Sequence, residues 1–248
     1  MRALLLLHGF TGAPESWAGV RAGVHGAELL APALLGHDGT SGRPEVGSFD
    51  DEVDRLAAEV GRAGLDHPHV VGYSLGGRLA LGLLVRHARL FSGATLIGVH
   101  PGLDDPRDRA ERRTEDEAWA LLLEREGIRA FVDAWEEQSL FATQRELPAG
   151  VREAQRLRRL GHNPEGLARS LRILGLSAMP GLRAALGGIR VPVRLLAGER
   201  DARFSGLARE MEGALPRGCA TIVPGAGHNL LLERPAVLAE ALLEGMAA

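Results

Sequence analysis

The sequence predicts an α/β chain with a mostly parallel sheet of about six strands, helices on both faces and a helical cap insertion. Three observations carry this. Short apolar runs alternate with amphipathic runs up to about residue 100 and again from 191. Such alternation builds βαβ units, whose crossover helices cover both faces of a parallel sheet. The alternation stops between about 101 and 188, where every clear pattern is helical. Finally, a serine stands between glycines in "VVGYSLGGRLAL", where a strand pattern becomes a helix pattern.

The elements follow in order. "ALLLLHG" (3–9) reads as a buried strand, and "PESWAGVRAGV" (14–24) as a helix with proline in its first turn. "AELLAPAL" (27–34) is the second strand. "SFDDEVDRLAAEVGRAG" (48–64) opens with a serine cap and acids that suit a helix N-terminus. "HVVGYS" (69–74) is the third strand, with "GGRLALGLLVRHA" (76–88) as its helix, and "ATLIGV" (94–99) is the fourth. "VPVRLLAG" (191–198) and "ATIVPG" (220–225) are the fifth and sixth, each followed by helical sequence. The organisation is therefore a core of 1–100 and 189–248, interrupted by a helical cap at 101–188.

Composition narrows the function. The 248 residues are 45% hydrophobic and 25% charged, ordinary for one globular domain with its own core. A net charge of -3 gives no reason to expect nucleic acid or an anionic membrane as a partner. No apolar window approaches a membrane span, and the N-terminal run is short for a signal peptide, so a cytoplasmic enzyme is expected. Its oligomeric state is expected to be a monomer or a small homo-oligomer. A lone cysteine, Cys219, fits a reducing compartment and reads as a small packing residue at a strand mouth. All 29 basic side chains are arginine, each permanently charged and shaped to grip carboxylates.

Gly72-Tyr73-Ser74-Leu75-Gly76 matches G-x-S-x-G at a strand-to-helix turn. A nucleophilic serine there needs a strained turn that lifts its hydroxyl from the sheet, and small flanking residues let that turn close. An acid should follow a later strand and a histidine the last one. Asp201 in "LLAGERDARF" and His228 in "VPGAGHNLLLERP" occupy those places. In such a triad His228 takes the serine proton and Asp201 holds the imidazole. Asp104 and Asp105 are alternative acids, after the fourth strand. Leu75 at the helix start and Phe10 in "LLHGFTG" supply backbone N–H groups for an oxyanion hole. His8 is expected to be buried and to order that loop.

These features resemble the α/β-hydrolase fold, with one departure: Met1 leaves no room for the hairpin that usually precedes the "HG" strand. "LLHGFTGAPESW", "GYSLGGRLAL", "HPGL", "RAERRTEDEAWA", "FVDAWEEQSLF", "RLGHNPEGLARSLRILG" and "AGHNLLLERP" together resemble the MenH family, the 2-succinyl-6-hydroxy-2,4-cyclohexadiene-1-carboxylate synthases, across nearly the whole chain. That resemblance implies a lyase without metal or organic cofactor. It would expel pyruvate from a small ring carrying several carboxylates, with the triad acting as base. It also implies substrate-binding roles for Tyr73, Arg78, Arg112, Trp135 and Arg159, the last adjacent to Arg158. Arg78 lies one helical turn beyond Ser74 and so reaches the same cavity. Leu75, where the family commonly has methionine, and "GVH" before "PGL" are departures. Neighbouring families share "HGFTG" and "GYSLGG", which leaves a carboxylester hydrolase with an acyl-serine intermediate as one alternative. A ligand receptor with vestigial activity is another.

Overall fold

The computed structural model describes residues 2–39 and 43–245. Six strands form one sheet: β1 (Arg2–Leu7), β2 (Ala27–Leu30), β3 (His69–Tyr73), β4 (Gly93–Ile97), β5 (Val193–Gly198) and β6 (Gly218–Val223). Their spatial order is β2-β1-β3-β4-β5-β6, and every neighbouring pair is parallel. The helices are α1 (Ala18–Arg21), α2 (Phe49–Arg62), α3 (Leu75–His87), α4 (Pro106–Glu136), α5 (Ala149–Leu160), α6 (Pro164–Leu174), α7 (Ala202–Ala214), α8 (Leu230–Glu233) and α9 (Pro235–Gly245).

The leucine run of β1 shows why the sheet is covered twice. Successive side chains of a strand point to opposite faces. Leu5 and Leu7 join a core with Leu56, Leu79, Leu83 and Met211, from α2, α3 and α7. Leu4 and Leu6 join a second core with Trp17, Val20, Leu238 and Leu242, beneath α1 and α9. A strand buried on both faces must be apolar at every position, and β1 is, from Ala3 on.

Local chemistry trims some expected elements. The second strand stops at Leu30 rather than 34, because Pro32 has no N–H to continue a ladder. The helix expected at 14–24 is a 3₁₀ turn, Pro14–Trp17, followed by the short α1. Gly23 sits so close to α9 that a Cβ would lie 2.7 Å from the Ala239 methyl. Cys219 is a correction: it is exposed, not packed. Strand β6 is an edge strand paired only with β5, and its outward positions Cys219 and Thr221 face solvent.

The segment between β4 and β5 contains no strand among the described residues. The two helical patterns on either side of Gly127 form one long helix, α4, broken where that residue has φ +81°. Helices α4 and α6 enclose a small core of their own: Ala120, Leu123, Phe131, Val132, Trp135, Phe141, Leu167 and Leu171. Phe10, from the loop after β1, packs against it.

Close backbone approaches flank Ser74 on both sides. A Cβ on Gly76 would lie 2.1 Å from the Leu7 carbonyl oxygen, and one on Gly72 2.3 Å from the Gly76 carbonyl. Neither obstacle is a flexible side chain, so Gly76→Ala is expected to destabilise the fold by on the order of 3 kcal/mol. Chemical denaturation of the variant checks this. A midpoint equal to wild type would mean that β1 and α3 are not held at this distance.

Candidate active site

Ser74 joins β3 to α3 with φ +51° and ψ −108°, a left-handed conformation that is strained for a residue with a side chain. Its N–H donates to the Ile97 carbonyl at 2.8 Å, which ties the turn to β4. The turn aims Oγ at His228, whose Nε2 is 3.1 Å away. His228 Nδ1–H donates to Asp201 Oδ2 at 2.7 Å, leaving the Nε2 lone pair for the serine proton. The other carboxylate oxygen of Asp201 accepts the Phe204 N–H at the start of α7, which fixes the carboxylate. Asp201 and His228 are both buried. Gly98, with φ +56°, leaves room for the imidazole: a Cβ there would lie 2.8 Å from its Cε1. Asp104 and Asp105 are engaged elsewhere. Asp104 pairs with Arg183, and Asp105 caps α4 by accepting the Arg107 N–H.

The Phe10 loop and the first turn of α3 border the same space. Leu75 is the first residue of α3, so its N–H has no partner within the helix. The Phe10 loop is held by three buried histidines. His8 Nδ1–H donates to Gly9 O at 2.8 Å, while Nε2 accepts the Leu34 N–H. His37 Nδ1–H donates to Leu35 O, and its Nε2 accepts the Thr11 N–H at 3.1 Å. His162 Nε2–H donates to Thr11 O. Each ring uses a lone pair or a neutral N–H, so protonation is opposed. Burial pushes His8 down to about 4 and His37 well below the usual histidine value. His69, buried against Thr95, is also pushed down to about 4 by burial.

These groups bind protons in the unfolded chain before they do so in the fold. Stability is therefore complete above about pH 6.5 and is lost as pH falls toward 4. We predict a melting temperature several degrees lower at about pH 5 than at neutral pH. A flat profile over that range would contradict the neutral-histidine account.

Ser74, His228, Phe10 and Leu75 open onto a cavity of about 680 Å³. Tyr73, Arg78, Arg112, Trp135, Arg158 and Arg159 also line it. Tyr73 is buried beside His228, with ring centroids 5.4 Å apart, and burial raises its phenol so that it stays an O–H. Arg78 donates one N–H to Leu174 O at 2.7 Å and has no carboxylate partner among the described residues. Burial, then the neighbouring Arg112, pushes it down to about 9, still a cation at neutral pH. Arg112 pairs with Asp116 at 2.8 Å. Arg159 is buried, pairs with Glu136 at 2.9 Å and lies over the Phe141 ring, while its Nε has no partner among the described residues. Trp135 stacks on Phe131, and its buried Nε1 likewise has no partner among the described residues.

Two lining groups and one supporting residue escaped the sequence reading. His100 and Arg203 face the Arg78 end, and Glu233 holds the His228 loop. The Glu233 carboxylate accepts the Gly227 N–H at 2.6 Å and the Thr143 hydroxyl at 3.1 Å. Arg203 left one signal: a cation in the first turn of α7 opposes the helix dipole.

The model of the alpha/beta hydrolase family matches residues 4–241. The 2-succinyl-6-hydroxy-2,4-cyclohexadiene-1-carboxylate synthase of Salmonella agona (strain SL483) is 36% identical over 242 residues, 98% of this chain and 92% of that protein. The chain belongs to the MenH family of α/β hydrolases. Its Salmonella heidelberg relative of the same name is 35% identical over the same shares. MenH from S. aureus superposes with a TM-score of 0.95 at 29% identity, over 99% of this chain and 93% of that one. A thermophilic esterase from Thermogutta terrifontis, 23% identical with a TM-score of 0.87, shares the fold. It covers 100% of this chain and 90% of the esterase. This MenH-family chain is an enzyme, and its likeness to MenH takes in the helical segment over the cavity, not the sheet alone. Among the described residues no helix is long and apolar enough to cross a membrane.

Proposed function

We propose that this enzyme eliminates pyruvate from 2-succinyl-5-enolpyruvyl-6-hydroxy-3-cyclohexene-1-carboxylate to give 2-succinyl-6-hydroxy-2,4-cyclohexadiene-1-carboxylate, a step of menaquinone biosynthesis in the cytoplasm. Arg78 carries the reading: it is a half-buried guanidinium beside the nucleophile with no acid paired to it among the described residues. A cation left unpaired in a partly dry cavity is costly unless a ligand anion completes it. The substrate brings several carboxylates, and Arg112, Arg158 and Arg159 offer further seats along the wall. Trp135 and Tyr73 provide flat, amphipathic surface for the ring.

In this reading Ser74 is a base and not an acylated nucleophile. His228, steadied by Asp201, takes the Ser74 proton. The serine oxygen then takes a proton from the ring, and the electron pair forms the new ring double bond. The ring C–O bond to the enolpyruvyl group breaks, and pyruvate leaves as its enolate. His228 returns its proton to that enolate, so charge and protons balance. The N–H groups of Phe10 and Leu75 face the charge that builds on oxygen during the transfer.

Elimination and hydrolysis leave different products. Elimination must form the conjugated diene and pyruvate in equal amounts, read by ultraviolet absorbance and by coupled reduction of pyruvate. Pyruvate without the diene would identify hydrolysis and overturn the reading.

A further inference from the structure

The Arg78 end of the cavity holds a donor that the mechanism above does not use. His100 follows β4, is buried, and lines the cavity. Its Nδ1 accepts the Gly102 N–H at 3.1 Å. That bond fixes the neutral tautomer with the proton on Nε2, which has no protein acceptor among the described residues. The turn is rigid. Pro101 O accepts the Leu182 N–H at 2.8 Å, and Gly102 has φ +98° with the Pro180 carbonyl only 2.5 Å from where a Cβ would be. Burial first, and then the charges of Arg203, Arg183, Arg78 and Arg112, push His100 down to about 4, so it stays neutral. Two of those arginines are already committed: Arg183 to Asp104 and Glu210, and Arg112 to Asp116. Arg203, exposed at the rim, has no ion pair among the described residues, and neither does Arg78.

We propose that His100 is a specificity-determining residue whose Nε2–H donates to the substrate carboxylate held by Arg78, with Arg203 adding charge from the rim. A second cation at this position would need its own counter-ion. A neutral N–H beside Arg78 instead donates to one carboxylate oxygen while the guanidinium donates to the other. The assignment rests on the reading of the enzyme as a lyase acting on a polycarboxylate ring.

The test compares His100→Leu, His100→Gln and Arg203→Gln with wild type in pyruvate release, with thermal melting of each variant as a folding control. His100→Leu should raise KM roughly tenfold or more with a much smaller change in kcat, as loss of a charge-assisted hydrogen bond to bound substrate requires. His100→Gln, which keeps an N–H near the Nε2 position, should recover most of that loss. Arg203→Gln should raise KM and weaken its dependence on salt. If His100→Leu is unfolded, the folded His100→Gln carries the test: KM within about threefold of wild type supports the donor role. A tenfold or greater rise in KM for His100→Gln, or an unchanged KM for a folded His100→Leu, overturns it. A wild type that releases no pyruvate overturns the lyase reading itself, and this assignment with it.

Discussion

Ser74→Ala is expected to lose pyruvate release almost completely, with kcat reduced by as much as ~10⁶-fold, as when a triad acts as a unit. Ser74 Oγ is the atom placed between His228 and the cavity, so in its absence no other side chain occupies the base position. The loss should fall on kcat, because the arginines proposed to seat the carboxylates are untouched. Alanine also has a Cβ and adopts the strained turn at similar cost, so the melting temperature should stay close to wild type. Steady-state kinetics and a thermal melt on the same preparation check both halves. A folded Ser74→Ala with near-wild-type turnover would remove serine from the mechanism.

The second large effect is expected for Arg78→Met, and its signature is a split between function and stability. A desolvated cation without an acid partner among the described residues costs the fold in the absence of ligand, so a flexible apolar side chain should leave the melting temperature unchanged or raised. The same change removes the charge proposed to meet a substrate carboxylate in the cavity. Truncating one partner of a buried hydrogen-bonded charge pair costs roughly 2–5 kcal/mol, which is about 30- to 5,000-fold in kcat/KM. A neutral p-nitrophenyl ester has no carboxylate to lose, so whatever ester cleavage the enzyme shows should fall far less. Equal losses on both substrates would show that Arg78 supports the fold or the elbow and does not clamp a carboxylate. The pattern is that of a residue kept for function against the interest of stability.

The parts of this site that local backbone rules govern were legible in the sequence. A nucleophile turn needs glycine where backbones nearly touch, and Gly72 and Gly76 announce it. Parallel strands place their C-terminal ends along one edge of the sheet, so residues just after β3, β5 and β6 must meet there. Ser74, Asp201 and His228 occupy those three positions. What was hidden depends on partners distant in the chain. The loop of Phe10 is fixed by His37, 26 residues from Thr11, and by His162, 151 residues from it. No local pattern distinguishes those histidines from surface ones. Arg78 and Arg172 show the same limit. Both are helical arginines in the sequence, yet one is half-buried and pairs with no acid among the described residues, while the other is clasped by Glu117 and Glu124 at the surface. The difference lies in which helix packs over each. Cys219 was misread because strand pattern alone does not say that β6 lies at the sheet edge.

The most direct test of the central claim is a paired rate measurement on one preparation of the purified enzyme. One arm follows pyruvate release from the succinyl-enolpyruvyl cyclohexene carboxylate, and the other follows hydrolysis of p-nitrophenyl butyrate. The account predicts fast pyruvate release and feeble ester cleavage, both abolished by Ser74→Ala. Fast ester cleavage with no pyruvate above background would contradict it, leaving a triad that works through an acyl-enzyme and arginines that serve another ligand.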